Sequence, residues 1–144
     1  MAQPVPENVE ALLTGDPVAA HLATCAEGRP HAAPVWFRYV PADERDTATA
    51  TDGDDRPVIE VTTTGRKLAN LRENPRVALS IQESEAGHPE WTVTVRGTAT
   101  VVEDGERTRE ANRRINRRYG ADPEDWSENT LVRIAVGSAS HQTY

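Results

Sequence analysis

The sequence is poor in several residue types, and each shortage excludes a class of protein. Cys25 is the only cysteine among 144 residues, so no disulfide can form within the chain, and the four histidines are too scattered to bind a metal. No apolar run approaches the roughly 18 residues needed to cross a membrane. The start MAQPVPENVEALL lacks the basic and apolar stretches of a signal peptide. These shortages predict a cytoplasmic protein without metal or membrane contact.

Lysine is the scarcest charged residue. Lys67 is the only lysine among 16 basic residues, and 23 acidic residues give a net charge of -7. This acidic excess argues against a general nucleic-acid or membrane-surface binder. Acidity together with lysine depletion predicts a halophilic, haloarchaeal protein whose acidic surface keeps it soluble at high salt. A GC-rich codon bias, which replaces lysine by arginine, is the alternative.

Period-two alternation of apolar residues predicts a mainly β protein. We expect half-buried antiparallel strands at residues 18–26, 31–40, 58–63, 77–81, 91–101 and 132–136. Gly97 interrupts the longest run, which indicates a bulge of the kind that closes a small barrel. Residues 41–57, PADERDTATATDGDDRP, are acidic and without large apolar side chains, so they predict a mobile hairpin tip.

Helical spacing is found in three segments, residues 7–14, 66–74 and 106–119. The last has the narrow apolar stripe Ala111, Ile115 and Tyr119, which is typical of a helix that lies on the surface of a barrel. The length of the chain is that of one domain, residues 1–144. We therefore predict an α+β fold: a six-stranded antiparallel split barrel with two or three peripheral helices.

One strand-to-helix corner has the features of an anion site. In VTTTGRKLANLRENP a strand ends in Thr62, Thr63 and Thr64, and the helix that follows begins with Arg66 and Lys67. Cations in a first helical turn oppose the helix dipole, so a bound anion is expected to compensate them. Free backbone N–H groups and threonine hydroxyls supply further donors. The corner predicts a phosphate site, although any threonine-rich strand-helix junction shares some of these features.

Three segments resemble a known family. LATCAEGRPHAAPVWF, VTTTGRKLANLRENPRVALSI and VRGTATVV are similar to the pyridoxamine 5'-phosphate oxidase-like flavin-binding split barrels, over roughly residues 17–103. The resemblance implies a homodimer with two FMN sites at the subunit interface. It further implies the cofactor contacts: Thr62, Thr63, Thr64, Arg66 and Lys67 at the phosphate, Val35, Trp36 and Phe37 along the isoalloxazine ring, and Trp91 and Arg96 reaching the site from the partner subunit. For Trp36, Phe37 and Trp91 plain core packing is the alternative.

The resemblance implies a flavin-dependent oxidoreductase acting on an unknown small molecule. No side chain is an obvious acid or base, so no catalytic residue is assigned. The C-terminal segment VRIAVGSASHQTY lacks the basic residues with which the authentic oxidase holds pyridoxamine phosphate, so that substrate is not expected. The alternatives are a deazaflavin-dependent reductase and a non-catalytic flavin carrier or sensor.

A third class of function, nucleic-acid binding, is indicated only by the arginines of the 106–119 helix. Six arginines crowd this helix, but Glu110 precedes Arg114 by four residues, which favours an ion pair on a solvated face. High salt would also weaken binding driven by counterion release. We therefore interpret the arginines as a solvated helix face.

Overall fold

A computed structural model describes residues 5–42 and 56–144, and most of the predicted acidic hairpin tip lies outside these residues. The described residues form three helices, α1 (Glu7–Thr14), α2 (Gly65–Glu73) and α3 (Gly105–Arg118). The strands are β1 (Ala20–Ala26), β2 (Arg29–Val35), β3 (Arg38–Val40), β4 (Val58–Thr63), β5 (Arg76–Glu85), β6 (His88–Val102) and β7 (Thr130–Thr143).

All seven of these strands belong to one antiparallel sheet in the order β2-β1-β5-β6-β7-β4-β3. Laid flat, its two edges would lie about 29 Å apart at the usual strand spacing. Yet the edge strands β2 and β3 are joined through Trp36 and Phe37 alone, a connection that spans no more than about 11 Å. The sheet must therefore curl until its edges meet without pairing, which is the geometry of a split barrel.

The predicted split-barrel fold class is confirmed, but the number of strands is seven rather than six. The predicted strand at residues 31–40 is broken after Val35, because the chain leaves β1 there and pairs with β4 from Arg38 onward. At the break the backbone N–H of Phe37 donates a hydrogen bond to Tyr119 Oη, 3.2 Å away, instead of to a strand. Period-two spacing continues through this change of partner, so the pattern alone did not reveal it.

The barrel core is built from the alternating apolar positions. Val93, Val95, Ile59 and Ile134 are fully buried within it. The predicted bulge at Gly97 is confirmed, since the register of β6 against β7 shifts between Arg96 and Gly97. A Cβ at Gly97 would lie 2.4 Å from the carbonyl oxygen of Ala135, so this close approach requires glycine.

Helix α3 packs on the barrel through the predicted stripe, with Ala111 and Ile115 buried. Two of its arginines pair with carboxylates on the outside, Arg114 with Glu110 and Arg113 with Glu124, as the solvated-face interpretation expects. Arg118 departs from this interpretation, because it is half-buried and donates to the carbonyl oxygen of Leu13. Among the described residues, no helix combines the length and apolar character needed to cross a membrane.

Candidate functional site

A cavity of about 420 Å³ opens beside the strand-to-helix corner. This volume lies within the range of small-molecule sites, about 300–1,000 Å³. Four parts of the chain that are distant in sequence form its walls: the entrance to β1, the end of β2, the β4–α2 corner, and α3 with the loop that follows it. The lining residues are Ala19, Pro34, Val35, Trp36, Thr62, Thr63, Thr64, Lys67, Ile115, Asn116, Trp126, Glu128 and Asn129.

The β4–α2 corner presents backbone hydrogen-bond donors at the start of α2. Gly65 adopts the left-handed conformation, with φ of 69°, and so turns the chain sharply from strand into helix. Thr64 occupies the N-cap position, but its hydroxyl does not cap the helix. The first backbone N–H groups of α2 therefore lack the side-chain acceptor that usually satisfies them.

Thr63 and Lys67 complete this corner. Thr63 is only 2% exposed, and its Oγ1 has no hydrogen-bond partner within residues 5–42 and 56–144. A buried hydroxyl without a partner is costly, which makes it an informative feature of a site. Lys67 likewise has no hydrogen bond or ion pair with the described part of the chain, and no acidic residue lies in its helical turn. The corner presents a cation and several unsatisfied donors to the cavity.

Aromatic side chains form a second wall. The ring of Trp36 stacks on Tyr119 with centroids 4.8 Å apart and an interplanar angle of 4°. Trp126 stands at 90° to Trp36, with centroids 6.5 Å apart. Tyr119 Oη also donates to the carbonyl oxygen of Val18, 2.6 Å away. Such a wall is suited to a flat ring system, because aromatic faces and edges both offer favourable contacts.

The α3–β7 loop, residues 119–129, brings Trp126 and Glu128 to the cavity. Two buried asparagines of α3 hold it: Asn112 and Asn116 each donate a side-chain hydrogen bond to the carbonyl oxygen of Asp125, at 2.7 and 2.8 Å. The Oδ1 of Asn112 accepts a hydrogen bond from Thr62 Oγ1 at 2.8 Å, which ties the loop to the corner. The loop is therefore a fixed part of the site.

The predicted cofactor contacts divide into two sets. Val35, Trp36, Thr62, Thr63, Thr64 and Lys67 line the cavity. The other four lie outside its lining. Phe37 is fully buried in the core, and Arg66 is exposed on α2. Trp91 is buried with its Nε1 donating to Glu83, and Arg96 is exposed at the β6 bulge. The proposed approach of Trp91 and Arg96 from a partner subunit stays a prediction.

Sequence reasoning missed the contribution of α3 and its loop. Asn116, Trp126, Glu128 and Asn129 all line the cavity. Two signals were available: a tryptophan in the otherwise polar stretch PEDWSENT, and asparagines four residues apart beside the apolar stripe of α3. Neither signal indicates which part of the barrel the loop faces, so its place in the lining of the cavity could be seen only in the tertiary structure.

The sequence matches one known protein family. The family model described as pyridoxamine 5'-phosphate oxidase matches residues 5–142, nearly the whole chain. A comparison with curated protein sequences finds no match.

Solved structures share the fold over almost the full length. An F420 reductase is 27% identical, with a TM-score of 0.68, and the match covers 94% of this chain and 98% of that one. A FAD-binding protein from Mesorhizobium loti is 20% identical, with a TM-score of 0.65 and coverage of 94% and 89%. The heme storage protein HutZ from Vibrio cholerae is 18% identical, with a TM-score of 0.66 and coverage of 99% and 95%. The fold thus occurs in proteins whose descriptions name different cofactors, namely F420, FAD and heme.

Proposed function

This chain belongs to the pyridoxamine 5'-phosphate oxidase family, and we propose that it is an oxidoreductase that binds FMN in the cavity and acts on a small molecule. When bound, the flavin supplies the redox chemistry by accepting and releasing two electrons. The residues of the chain bind and orient it. The proposal includes a homodimer, as the family resemblance implies. The cytoplasmic location and the halophilic, haloarchaeal origin stay predictions.

The observation that carries this proposal is the set of unsatisfied donors at the β4–α2 corner. A phosphate there would accept hydrogen bonds from the buried Thr63 hydroxyl and from the uncapped start of α2. Lys67 would donate a charge-assisted hydrogen bond to the phosphate, which is stronger than a bond from a neutral donor. Trp36, on the adjacent wall of the same cavity, offers an aromatic surface to the ring system.

A deazaflavin coenzyme is the second candidate. The F420 reductase, at 27% identity over 94% of this chain, favours it. The corner does not distinguish the two cofactors, since it recognises a phosphate and not a ring. Mass spectrometry of the cofactor after gentle purification separates them.

The phosphate corner is tested by titrating the protein with FMN and with riboflavin, which has the same ring system and no phosphate. We expect wild type to prefer FMN, and Lys67→Gln to weaken FMN binding by about 10- to 100-fold, as expected for a lost charged hydrogen bond. Riboflavin affinity should remain unchanged. Arg66→Gln is the matched control, because Arg66 is a neighbouring cation outside the cavity lining.

Thr63→Val separates binding from folding in the same titration. Because the Thr63 hydroxyl has no partner among the described residues, its loss should leave the melting temperature unchanged or raised while FMN binding weakens. A wild-type protein that binds neither FMN nor a deazaflavin would refute the proposal. Oxidation of the reduced, protein-bound cofactor by small-molecule acceptors then distinguishes an oxidoreductase from a flavin carrier or sensor.

A further inference from the structure

Trp126 has a combination of features that the proposed cofactor site does not explain. It is 53% exposed, whereas the other tryptophans, Trp36 and Trp91, are half-buried and buried. Its indole N–H has no hydrogen-bond partner in the part of the chain that the structure describes, whereas Trp91 donates to Glu83. It nevertheless lines the cavity. Trp126 therefore lies where the cavity meets solvent.

The backbone holds Trp126 in this position at an energetic cost. Its φ of 61° is in the left-handed region, which is unfavourable for a bulky side chain. The surrounding hydrogen bonds enforce this conformation: Asn112 and Asn116 bind the carbonyl oxygen of the preceding residue, Asp125, and the backbone N–H of Asn129 donates to the carbonyl oxygen of Trp126, 3.0 Å away. Strain held in place by its surroundings is found most often at functional sites.

We propose that Trp126 is a specificity-determining residue that binds a flat aromatic or heteroaromatic reactant at the mouth of the cavity. This inference rests on the proposed function, with the cofactor phosphate at the inner corner and the cofactor ring beside Trp36. A reactant arriving after the cofactor meets the half-exposed indole of Trp126. Because this ring stands at 90° to Trp36, the two rings form a corner, and a planar molecule that lies flat on Trp126 buries more apolar area than a puckered one.

The test uses 2-naphthol as a flat probe and 2-decalol as its saturated counterpart, with binding to the FMN-loaded protein measured by equilibrium dialysis. We expect wild type to bind 2-naphthol about 10-fold more tightly than 2-decalol, and Trp126→Ala to abolish this preference. Trp126→Phe should retain most of it. Ser127→Ala is the matched control, since Ser127 is exposed in the same loop and does not line the cavity. FMN affinity should change by less than about 2-fold in every variant.

Three results would overturn the inference. Wild type that binds both probes equally, or neither, has no surface selective for flat rings. A loss of FMN affinity in Trp126→Ala equal to its loss of 2-naphthol affinity would assign Trp126 to the cofactor. A changed sedimentation coefficient for Trp126→Ala would indicate a contact between copies of the chain. Failure of the proposed function is seen separately, as absent FMN and deazaflavin binding by wild type, and the probes are then dialysed against the unloaded protein.

Discussion

At the scale of single residues, Tyr119 connects the cavity to the short β2–β3 connection, where the two edges of the sheet meet. Its hydroxyl donates to Val18 and accepts from Phe37, and its ring supports Trp36. It therefore fixes the short connection between β2 and β3 and, through it, the aromatic wall of the cavity. Burial raises the pKa of this hydroxyl above its ordinary value, while the hydrogen bond from Phe37 and the charge of Arg118 partly offset the shift.

This pKa shift predicts a loss of stability at alkaline pH. The unfolded chain releases the Tyr119 proton at about pH 10, before the folded protein does. The stability that Tyr119 contributes through its hydrogen-bonded, protonated hydroxyl is therefore complete below that pH, and it is lost as the pH rises through the folded-state pKa. Tyr119→Phe should lower the free energy of unfolding at neutral pH by about 1–2 kcal/mol through its lost hydrogen bonds. The unfolding free energy of this variant should also fall less steeply than that of wild type between about pH 9 and 11.

Urea denaturation at a series of pH values measures both effects. Tyr144→Phe is the control, because Tyr144 is 65% exposed and its substitution should leave the curve unchanged. Equal slopes for wild type and Tyr119→Phe in the alkaline range would contradict the expectation.

At the scale of elements, the site depends on irregularities in the strands. The bulge between Arg96 and Gly97 increases the twist of the two longest strands, β6 and β7, and so helps the sheet to curl. The break after Val35 transfers the chain from one edge of the sheet to the other. The break also lies at the cavity, whose lining includes Val35, Trp36 and the residues of the β4–α2 corner.

Gly97→Ala tests the bulge. The added Cβ would lie 2.4 Å from Ala135 O and 2.9 Å from Ile134 Cγ2, so the strands must separate. We expect a loss of about 1–3 kcal/mol in unfolding free energy, the usual cost of overpacking. Gly105→Ala is the control, since nothing lies within 4 Å of its added Cβ. Thermal denaturation that shows equal stability for these two variants would mean that the bulge adapts freely.

At the scale of the whole molecule, charge is the dominant feature. The net charge of -7 creates self-repulsion that salt screens, and the basic partners are almost entirely arginine. Several arginines are used in exposed ion pairs with glutamates, such as Arg72 with Glu103 and Arg114 with Glu110. Surface pairs of this kind contribute little each, so the response of the whole molecule to salt is the more informative quantity.

We expect KCl to stabilise the protein. Raising KCl from about 0.1 to 2 M should raise the melting temperature by at least about 4 °C, the shift that about 1 kcal/mol produces in a domain of this size. Sucrose at matched water activity does not screen charge, so its effect measures stabilisation by solute exclusion, which is subtracted from that of KCl. A protein that is fully stable without salt and unresponsive to KCl would favour codon bias as the origin of the missing lysines.

The sequence alone determined the features that depend on neighbouring residues. Period-two spacing predicted most strands, the turn and capping signals predicted the helices, and Gly97 indicated the bulge. The Thr62–Lys67 corner was also readable as a strand end followed by a helix start, because both are built from consecutive residues. Each of these features is formed by residues that are close in sequence, so the order of the residues is sufficient to predict it.

The tertiary structure alone decided how the corner becomes a cavity. Trp126 meets Trp36 across 90 residues of chain only because α3 packs on the barrel and two buried asparagines fix the loop behind it. The seventh strand likewise arises from a change of pairing partner that leaves the spacing of apolar residues unaltered. The spacing of apolar residues indicates which face of a strand or helix a residue occupies. The assembly of a site depends on which strands and helices pack against one another, and the spacing does not contain this information.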